Sequence, residues 1–469
     1  MEEERLPEDD MPLAVSDDVS LKEWVTVCYD KSYTPTAEDV GCILRIEVKS
    51  VAISDGTVLA GPVVVITEPV LSAPRAPPKR PLLTVAGSTS GGGARFRVLS
   101  YNILAELYAT KQAYPYCNTW SLAWPYRRAI LQQEIEEAAG DIICLQEVQA
   151  DHYEQHLVGF MAEKGYEGIF KQKTRESMGQ YGKVDGCATF WRRSKFIMVE
   201  NYSVEFNECA RHAAADLGLD ESDGRRYINR LVKDNVALIV VLEVVSRSAV
   251  RLPRQSIQVC VANTHLYSNH QRPDVKLWQA YALMRELEQF VIQRDIALIV
   301  CGDLNSEPDS AVYEYMMEGV ISMSRPELDI TDNIRVLPDL SNIVHNIELV
   351  SAMGVSLGEE PPFTNFTGKF RGTLDYICFT PSRLRVMAVT GFPDASELEA
   401  ENGVGLPSAS YASDHLMLCC DLAFAISGTG SITRVPSASS RKPSTIPMAT
   451  SPTKSLKGLS GRSPAGPGR

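Results

Sequence analysis

The sequence predicts an α/β protein whose main domain is a two-sheet α/β sandwich, in which two packed sheets are flanked by helices. Three observations support this fold class. Short apolar runs recur between longer amphipathic stretches, predicted strands outnumber helices, and consecutive strands are often separated only by loops. A barrel of regular βα units would need a helix after each strand, so the sandwich fits the order of segments better.

Composition divides the chain into zones that we interpret as domains and connections. Residues 1–20 are acidic and predicted to be flexible, and residues 21–71 alternate in strand fashion, which indicates a small N-terminal all-β module. Residues 72–94 are rich in Pro and then in Gly and Ser, as in a linker. Residues 95–426 form the main domain. Residues 427–469 make a basic tail without Asp or Glu, which cannot bury enough apolar surface to fold and is predicted to be disordered.

The predicted elements follow from apolar periodicity. In the small module, strands are predicted at WVTVCY, CILRIEV and PVVVI. In the main domain, strands are predicted at FRVLSYNIL, DIICLQEV, GCATFWR, NVALIVVLEVV, IQVCVANTHL, IALIVCGDLN, LDYICF and LMLCCDLAF. Two segments carry apolar positions at helical spacing with charged residues between them, RRAILQQEIEEAA and DVKLWQAYALMRELEQFVIQR.

Overall composition excludes several classes of protein. Hydrophobic residues make up 44% and charged residues 22%, as in soluble globular proteins, and no apolar run is long enough to span a membrane. The acidic N-terminus does not resemble a secretory signal. The eleven cysteines form no CxxC pair, so we expect a reduced intracellular compartment, cytoplasmic and also nuclear, without disulfides or zinc. The net charge of −13 argues against gripping nucleic acid through a bulk positive field, but not against an enzyme acting on it.

Polar residues able to bind metal or phosphate follow several predicted strands. Taken singly, each residue also fits a purely structural role. Glu147 could be a solvated strand end, His265 a hydrogen-bonded core histidine, and Asp414-His415 a simple turn. Their joint placement at strand ends of one domain favours a single site, because a rigid sheet holds side chains in fixed mutual positions. The complete set is Asn102, Glu147, His265, Asp303, Asn305, Asp375, Asp414 and His415.

These residue types fit a metal-dependent phosphodiesterase. Glu147, with Asn102 and Asp414, supplies the hard oxygen ligands that Mg²⁺ prefers, with Mn²⁺ as a substitute. The residues leave open whether one ion or two act. A bound cation would neutralise charge on a phosphodiester as it reaches its five-coordinate transition state.

The remaining residues have hypothetical roles in the same reaction. Asp303 is the predicted base that activates water, and Asn305 donates a hydrogen bond to the phosphate. His415 is expected to face the phosphate as a cation held by Asp375, and His265 is a further donor to a non-bridging oxygen.

The short motifs YN, LQE, NTHL, GDLN, LDYI and SDH occur in this order between Arg95 and Phe424. With them the sequence resembles the endonuclease/exonuclease/phosphatase superfamily, which implies a deoxyribonuclease I-like sandwich. Longer segments are similar to the carbon-catabolite-repressor poly(A) deadenylases, and they are YNILAELYAT, WPYRR, CLQEVQADHYE, VDGCATFWRR, NRLVKDNVALIVVLE, DVKLWQ and FTNFTGKFRGTLDYICFT.

The closer resemblance implies a Mg²⁺-dependent 3′→5′ exoribonuclease that shortens mRNA poly(A) tails and releases 5′-AMP. In such enzymes an Asn and a Phe before the LDYI strand line the adenine pocket, and here they are Asn365 and Phe370. An aromatic face stacks on bases; the alternative is that Phe370 merely anchors its loop. The implied partners are poly(A) RNA and the large mRNA deadenylation complex, with no membrane.

The sequence also departs from the family pattern. The His-Trp-Asp-Pro stretch of animal members is replaced by YSNHQRPDVK, with His270 in its place, so substrate contacts on that wall differ. The β module stands where fungal and animal enzymes carry leucine-rich repeats, and its YTPTAEDVG resembles plant-type members. If this chain joins the deadenylation complex, it would therefore bind the scaffold through an interface other than leucine-rich repeats. The β module is the candidate for that interface, and the alternative is that the module only stabilises the protein.

Two other functions compete with the deadenylase hypothesis. A phosphatase of the same fold acting on a dinucleotide cofactor such as NADP(H) would use the same metal site. A catalytically dead RNA-binding scaffold would be marked by a missing ligand, and the motifs are complete.

Overall fold

The computed structural model describes residues 24–70, 73, 78–85, 94–175, 183–245, 257–328 and 335–425. The predicted acidic segment 1–20 and the predicted tail 427–469 lie outside the described residues, and so does part of the predicted linker. Among the described helices, none combines the length and apolar character that crossing a bilayer requires.

The described strands are β1 Ile43–Val51, β2 Val58–Pro69, β3 Leu82–Thr84, β4 Arg95–Asn102, β5 Ile142–Gln149, β6 Tyr166–Gln172, β7 Asp185–Arg192, β8 Phe196–Glu205, β9 Val236–Val244, β10 Gln258–His265, β11 Ala297–Asp303, β12 Val350–Ser351, β13 Asn365–Phe366, β14 Arg371–Gly372, β15 Asp375–Phe379, β16 Leu384–Thr390 and β17 Leu418–Phe424. The described α-helices are α1 Thr119–Leu122, α2 Trp124–Ala138, α3 Ala150–His152, α4 Val158–Glu163, α5 Phe206–Asp216, α6 Glu221–Leu231, α7 Pro273–Ile292, α8 Ala311–Glu318, α9 Ala352–Leu357 and α10 Ala395–Glu399.

Two mixed sheets form the main domain and confirm the predicted α/β sandwich. In the described part of the chain, one sheet has seven strands in the order β3-β16-β17-β4-β5-β7-β6, and the other has six in the order β12-β15-β11-β10-β9-β8. Each sheet contains a parallel pair, β4 with β5 and β10 with β11, among otherwise antiparallel neighbours. The parallel pairs bring the carboxyl ends of adjacent strands to the same edge.

The core has three layers because successive strand residues point to opposite faces. Val98 and Ile142 join a buried cluster that also contains Val240 and Ile299 of the other sheet, so this cluster fills the space between the sheets. Their chain neighbours on the opposite face of the seven-stranded sheet pack instead with Ile130 and other residues of α2. The outer face of the six-stranded sheet packs against α5, α6, α7 and α8.

The N-terminal module is a separate two-stranded sheet made by β1 and β2, which agrees with two of its three predicted strands. The third, WVTVCY, is not a strand: its residues form no regular secondary structure and are largely exposed, with Val25 78% exposed. Alternating residues form a strand only where a partner backbone is available, and here Trp24 instead lies against the Arg45 guanidinium, 5.6 Å from the ring centroid.

Part of the segment predicted to be a linker is structured. Leu82–Thr84 pairs antiparallel with β16 and forms the edge of the seven-stranded sheet. Next to it, Arg80 donates a hydrogen bond to the Met417 carbonyl oxygen. The main domain therefore begins before residue 95 among the described residues.

Candidate active site

The candidate site lies where the ends of the central strands of both sheets meet. In the parallel pair β10–β11, His265 and Asp303 are register partners at the carboxyl end. In the parallel pair β4–β5, Asn102 ends its strand opposite Gln146, one residue before Glu147. The first residue of antiparallel β15, Asp375, also pairs with Asp303. The topology thus delivers side chains that are far apart in sequence to one place.

Asn102 joins the two halves of the site. Its side-chain amide donates to Glu147 Oε1 at 3.2 Å and to Asp303 Oδ2 at 3.0 Å, and lies 3.5 Å from His415 Nε2. Its Oδ1 accepts the backbone N–H of Leu104. This orientation differs from the predicted role of metal ligand, because the NH₂ group, and not the oxygen, faces the carboxylates. Asn102 therefore positions the two carboxylates.

Glu147 sits on a distortion of β5. The register of β5 against β7 shifts between Leu145 and Val148, and Glu147 has a φ of 55°. Left-handed backbone is unfavourable for a residue with a long side chain and is concentrated at functional sites. Glu147 Oε2 accepts the N–H of Ala105 at 2.9 Å. Burial, followed by repulsion from Asp185 and Asp414, raises the pKa of Glu147 to about 7.

His415 and Asp375 form a buried ion pair. His415 Nδ1 lies 2.7 Å from Asp375 Oδ2, and the same oxygen accepts the Thr364 hydroxyl at 2.6 Å. Burial alone would lower the pKa of His415, but the carboxylates of Asp375, Asp414 and Asp303 outweigh it and raise the pKa well above the ordinary value. His415 is therefore an imidazolium at neutral pH. Its other nitrogen, Nε2, lies 3.6 Å from Asp303 Oδ2.

His265 faces the same aspartate in a different protonation state. Its Nε2 lies 3.6 Å from Asp303 Oδ2. Burial and the neighbouring Lys173 cation lower the pKa of His265 to about 3. It is therefore a neutral imidazole, which still offers one N–H donor. The two histidines that flank Asp303 thus differ in charge.

Only one of the two carboxylate oxygens of Asp414 accepts hydrogen bonds from the described residues. Its Oδ2 accepts the Tyr114 hydroxyl at 2.9 Å and the Asn365 amide at 3.1 Å. Its Oδ1 is buried and has no hydrogen-bond partner among the described residues. An unpartnered buried carboxylate oxygen is costly unless something else satisfies it.

The donor set fits a divalent cation at Glu147 and Asp414. Burial raises the pKa of Glu147, the charges of Asp185 and Asp414 raise it further, and Asp414 Oδ1 lacks a partner among the described residues, so these observations indicate a local deficit of positive charge. A second grouping, Asp303, Asp375 and His415, brings potential ligand atoms within 4.8 Å of one another. In that group the His415 side chain already lies close to both carboxylates, so the carboxylates left to hold a cation are those of Glu147 and Asp414.

The loop after β11 places Asn305. Its φ of 47° is one that Asn tolerates better than most residues, and its N–H donates to Asp303 Oδ1 at 2.8 Å. Its side-chain NH₂ donates to the Leu266 carbonyl at 2.9 Å, which leaves the second N–H of the amide for a substrate oxygen. Lys276, which sequence reasoning missed, fixes this loop through a hydrogen bond of 2.5 Å from Nζ to the Asn305 carbonyl.

Two further sequence motifs position the His265 loop. Arg230 of NRLVKDN forms a buried ion pair with Asp274 of DVKLWQ, at 2.9 Å, and so joins α6 to α7. Asn235, in the same NRLVKDN motif, donates to the His265 carbonyl and accepts a hydrogen bond from Gln279 of α7. These motifs therefore support the site without entering it.

Arg127, from the WPYRR motif, holds the strand-end loops together. It is fully buried, and its guanidinium donates to the carbonyl oxygens of Leu122, Ile103, Leu104 and Ala412 at 2.9–3.1 Å. Burial lowers its pKa to about 10, so it remains a cation at neutral pH. The helical pattern of α2 gave no signal for this role, because an Arg within a helix normally faces solvent.

We expect Arg127→Lys to lower the free energy of unfolding by about 3 kcal/mol. Lysine has one ammonium in place of the guanidinium fork, so at least one of the four carbonyl oxygens would stay buried and unpaired. Urea denaturation of the variant measures this loss. Arg128→Lys, at the next position of the same helix, is the control, and equal stability of the two variants would contradict the expectation.

Of the two residues expected to line an adenine pocket, Asn365 contacts this site. Asn365 is buried and bound to Asp414, so it helps to hold the carboxylate. Phe370 is half-buried in the turn between β13 and β14, close to Gly372 and Glu307. His270 is exposed in the segment before α7.

The fold and the site define a phosphoester hydrolase: a two-sheet sandwich whose strand ends carry carboxylates, amides and two histidines. The chain belongs to the endonuclease/exonuclease/phosphatase family, whose model matches residues 99–415. Within this family it is a member of the carbon-catabolite-repressor type, as its relatives show.

Two relatives support this assignment, and one solved structure supports the fold. Carbon catabolite repressor protein 4 homolog 1 of Arabidopsis thaliana is 38% identical over 427 residues, which cover 85% of this chain and 70% of that protein. The CCR4-Not complex 3′-5′-exoribonuclease subunit Ccr4 of Mycosarcoma maydis is 32% identical over 72% of this chain, which spans about half of that protein, 51%. The structure of ANGEL2, a 2′,3′-cyclic phosphatase, superposes with a TM-score of 0.57 at 27% identity, covering 74% of this chain and 99% of that one.

Proposed function

We propose that this chain is a Mg²⁺-dependent 3′→5′ exoribonuclease that shortens mRNA poly(A) tails and releases 5′-AMP. The observation that carries the proposal is the joint hydrogen bonding of Asn102 to Glu147 and Asp303, beside the His415 imidazolium. A general base, a cation and a metal-binding carboxylate within one buried cluster suit phosphodiester hydrolysis. The relative named as an exoribonuclease subunit supports the RNA substrate.

The residues divide the reaction between them. Asp303 accepts a proton from the attacking water, whose oxygen forms a bond to phosphorus while the bond to the 3′-oxygen of the preceding nucleotide breaks and that oxygen takes up a proton from solvent. His415, held by Asp375, and neutral His265 donate hydrogen bonds to the phosphate oxygens, as does Asn305. A cation bound by Glu147 and Asp414, Mg²⁺ with Mn²⁺ as a substitute, would neutralise charge developing on the phosphate.

The test compares labelled RNAs that differ only at the 3′ end. A 5′-labelled RNA ending in oligo(A) should be shortened to a ladder in Mg²⁺, more rapidly than one of mixed sequence, and EDTA should stop the reaction. A second candidate, a phosphatase, is favoured by the likeness to the 2′,3′-cyclic phosphatase structure. Parallel reactions with an oligo(A) ending in a 2′,3′-cyclic phosphate and with NADP(H) decide between them, because phosphate chemistry without a ladder would contradict the proposal.

Phe370→Ala should lower kcat/KM on oligo(A) about tenfold if this ring stacks on the base, since stacking contributes roughly 1–3 kcal/mol per base. Phe370→Leu is the matched variant, because it keeps an apolar side chain in the turn but removes the aromatic face. The expected order of activity on oligo(A) is wild type above both variants, at equal thermal stability. Full activity of Phe370→Leu would indicate that Phe370 only anchors its loop.

The proposal extends to partners and location. One relative is named as a subunit of a CCR4-Not complex, and we place this chain in the corresponding mRNA deadenylation complex, in the cytoplasm and also in the nucleus. The contact with a scaffold would use an interface other than leucine-rich repeats. Co-purification with and without the β1–β2 module tests that part.

A further inference from the structure

An exposed carboxylate lies at the edge of the Phe370 ring. Glu307 follows Asn305 by two residues and is exposed. A Cβ placed on Gly372 would lie 2.7 Å from Glu307 Oε1 and equally 2.7 Å from Phe370 Cζ. The glycine therefore allows the carboxylate oxygen and the tip of the ring to approach the same small space. This arrangement puts a charged acceptor beside an aromatic face.

Among the described residues, the Glu307 side chain makes no hydrogen bond and no ion pair. Lys276 is near enough to interact electrostatically with it, but the Lys276 ammonium donates to the Asn305 carbonyl. Other acidic residues close to the site are held by neighbours, as Asp414 is by Tyr114 and Asn365. The acceptors of the Glu307 carboxylate are therefore uncommitted in the part of the chain that the structure describes.

We propose that Glu307 selects the base at the RNA 3′ end by accepting a hydrogen bond from an exocyclic amino group. The inference rests on the proposed function and on stacking of that base over Phe370. A carboxylate is acceptor-only when ionised. Adenine offers N6–H₂ and cytosine N4–H₂ as donors, whereas uracil has O4 at that position and no exocyclic amino group. A carboxylate near the ring thus favours A and C ends over U ends, and a G end can pair with it through N1–H and N2–H₂.

A positional role of Glu307 in its loop predicts something different. Removing a loop-stabilising side chain would slow cleavage of all RNA ends alike, because the loop also carries Asn305 and follows Asp303. A base-reading role changes the ratio between bases and leaves cleavage of U ends intact. The two interpretations therefore separate in a comparison of substrates.

The experiment measures single-turnover cleavage of RNAs identical except for a 3′-terminal A, C, G or U, by wild type, Glu307→Ala and Glu307→Gln. Wild type should favour A and C over U. Glu307→Ala should lose about tenfold on A and C with U unchanged, as for a hydrogen bond to a charged group. Glu307→Gln should in addition gain on U, because its amide NH₂ donates to O4. Glu318→Ala, an exposed glutamate on α8, is the control.

The outcomes separate the two proposals. Cleavage of A ends by wild type with unchanged base ratios in both Glu307 variants overturns the role of Glu307 and leaves the exoribonuclease proposal standing. Wild-type protein that cuts none of the RNAs overturns the exoribonuclease proposal, and the base-selecting role falls with it.

Discussion

Asp303→Asn should lower the rate constant for RNA cleavage by about a thousandfold, within the range of roughly 10²–10⁴ that a general base contributes. The substitution keeps the shape of the side chain but removes its ability to take a proton from water. Asp303 is the one carboxylate that both histidines and Asn102 approach, with His265 Nε2 and His415 Nε2 each at 3.6 Å. Single-turnover cleavage at saturating Mg²⁺ measures the loss.

The fold should survive this substitution. Asparagine has one oxygen, which can accept the Asn305 N–H in place of Asp303 Oδ1, while its NH₂ group replaces the oxygen that accepts the Asn102 amide; losing this one hydrogen bond should lower the melting temperature without unfolding the protein at the assay temperature. Asp309→Asn, on an exposed residue of the same loop, is the control for a general effect of charge. Near wild-type cleavage by Asp303→Asn, with folding intact, would refute the role of general base.

Glu147→Gln should lower the Mg²⁺-dependent activity by about a thousandfold. The same substitution should remove the stabilisation that Mg²⁺ gives the protein. A glutamine carries no charge to hold the cation. Binding of a ligand to the folded state alone raises stability by mass action, so Mg²⁺ should raise the melting temperature of the wild type and not that of the variant. Glu154→Gln, on an exposed residue, is the matched control.

The sign of the pH effect on the metal-free protein follows from the Glu147 pKa. The folded-state pKa, about 7, is above the ordinary 4.5, so the protonated carboxyl stabilises the fold. That stability is fully present below about pH 4.5 and is lost as the pH rises through 7. In EDTA at pH 8, metal-free Glu147→Gln should therefore melt at a higher temperature than metal-free wild type. The opposite order, or equal stabilisation of both by Mg²⁺, would remove Glu147 from the metal site.

The sequence predicts the sandwich well because its central strands are buried on both faces. Runs such as those of β9 and β11 are almost uninterrupted apolar segments, and the polar residues that end them stand out. Strands β6, β8 and β16 were not predicted. Strands β6 and β8 lie at sheet edges, and their half-exposed residues break the apolar pattern. A strand pattern in WVTVCY did not produce a strand, because periodicity does not report whether a partner is present.

The sequence predicts which strand ends contribute to the candidate site. It does not predict the hydrogen bonds that connect these residues. The clustering of Asp303 with His265 follows from a parallel register, which the order of strands suggests. The orientation of the Asn102 amide and the burial of Arg127 depend on contacts across more than a hundred residues of sequence, such as Arg127 with Ala412. Such contacts leave no local signal. Tyr114 was missed for the same reason, since its hydroxyl meets Asp414 only in three dimensions.

The pairing of Leu82–Thr84 with β16 bears on how the catalytic part of the molecule can be isolated. A fragment cut at the compositional boundary near residue 95 would strip away this strand and the Arg80 contact, leaving the backbone N–H and C=O groups of β16 open along one side. Open strands of this kind recruit other chains and promote aggregation. A recombinant catalytic fragment therefore needs to begin no later than Pro78, so that Leu82–Thr84 remains paired with β16.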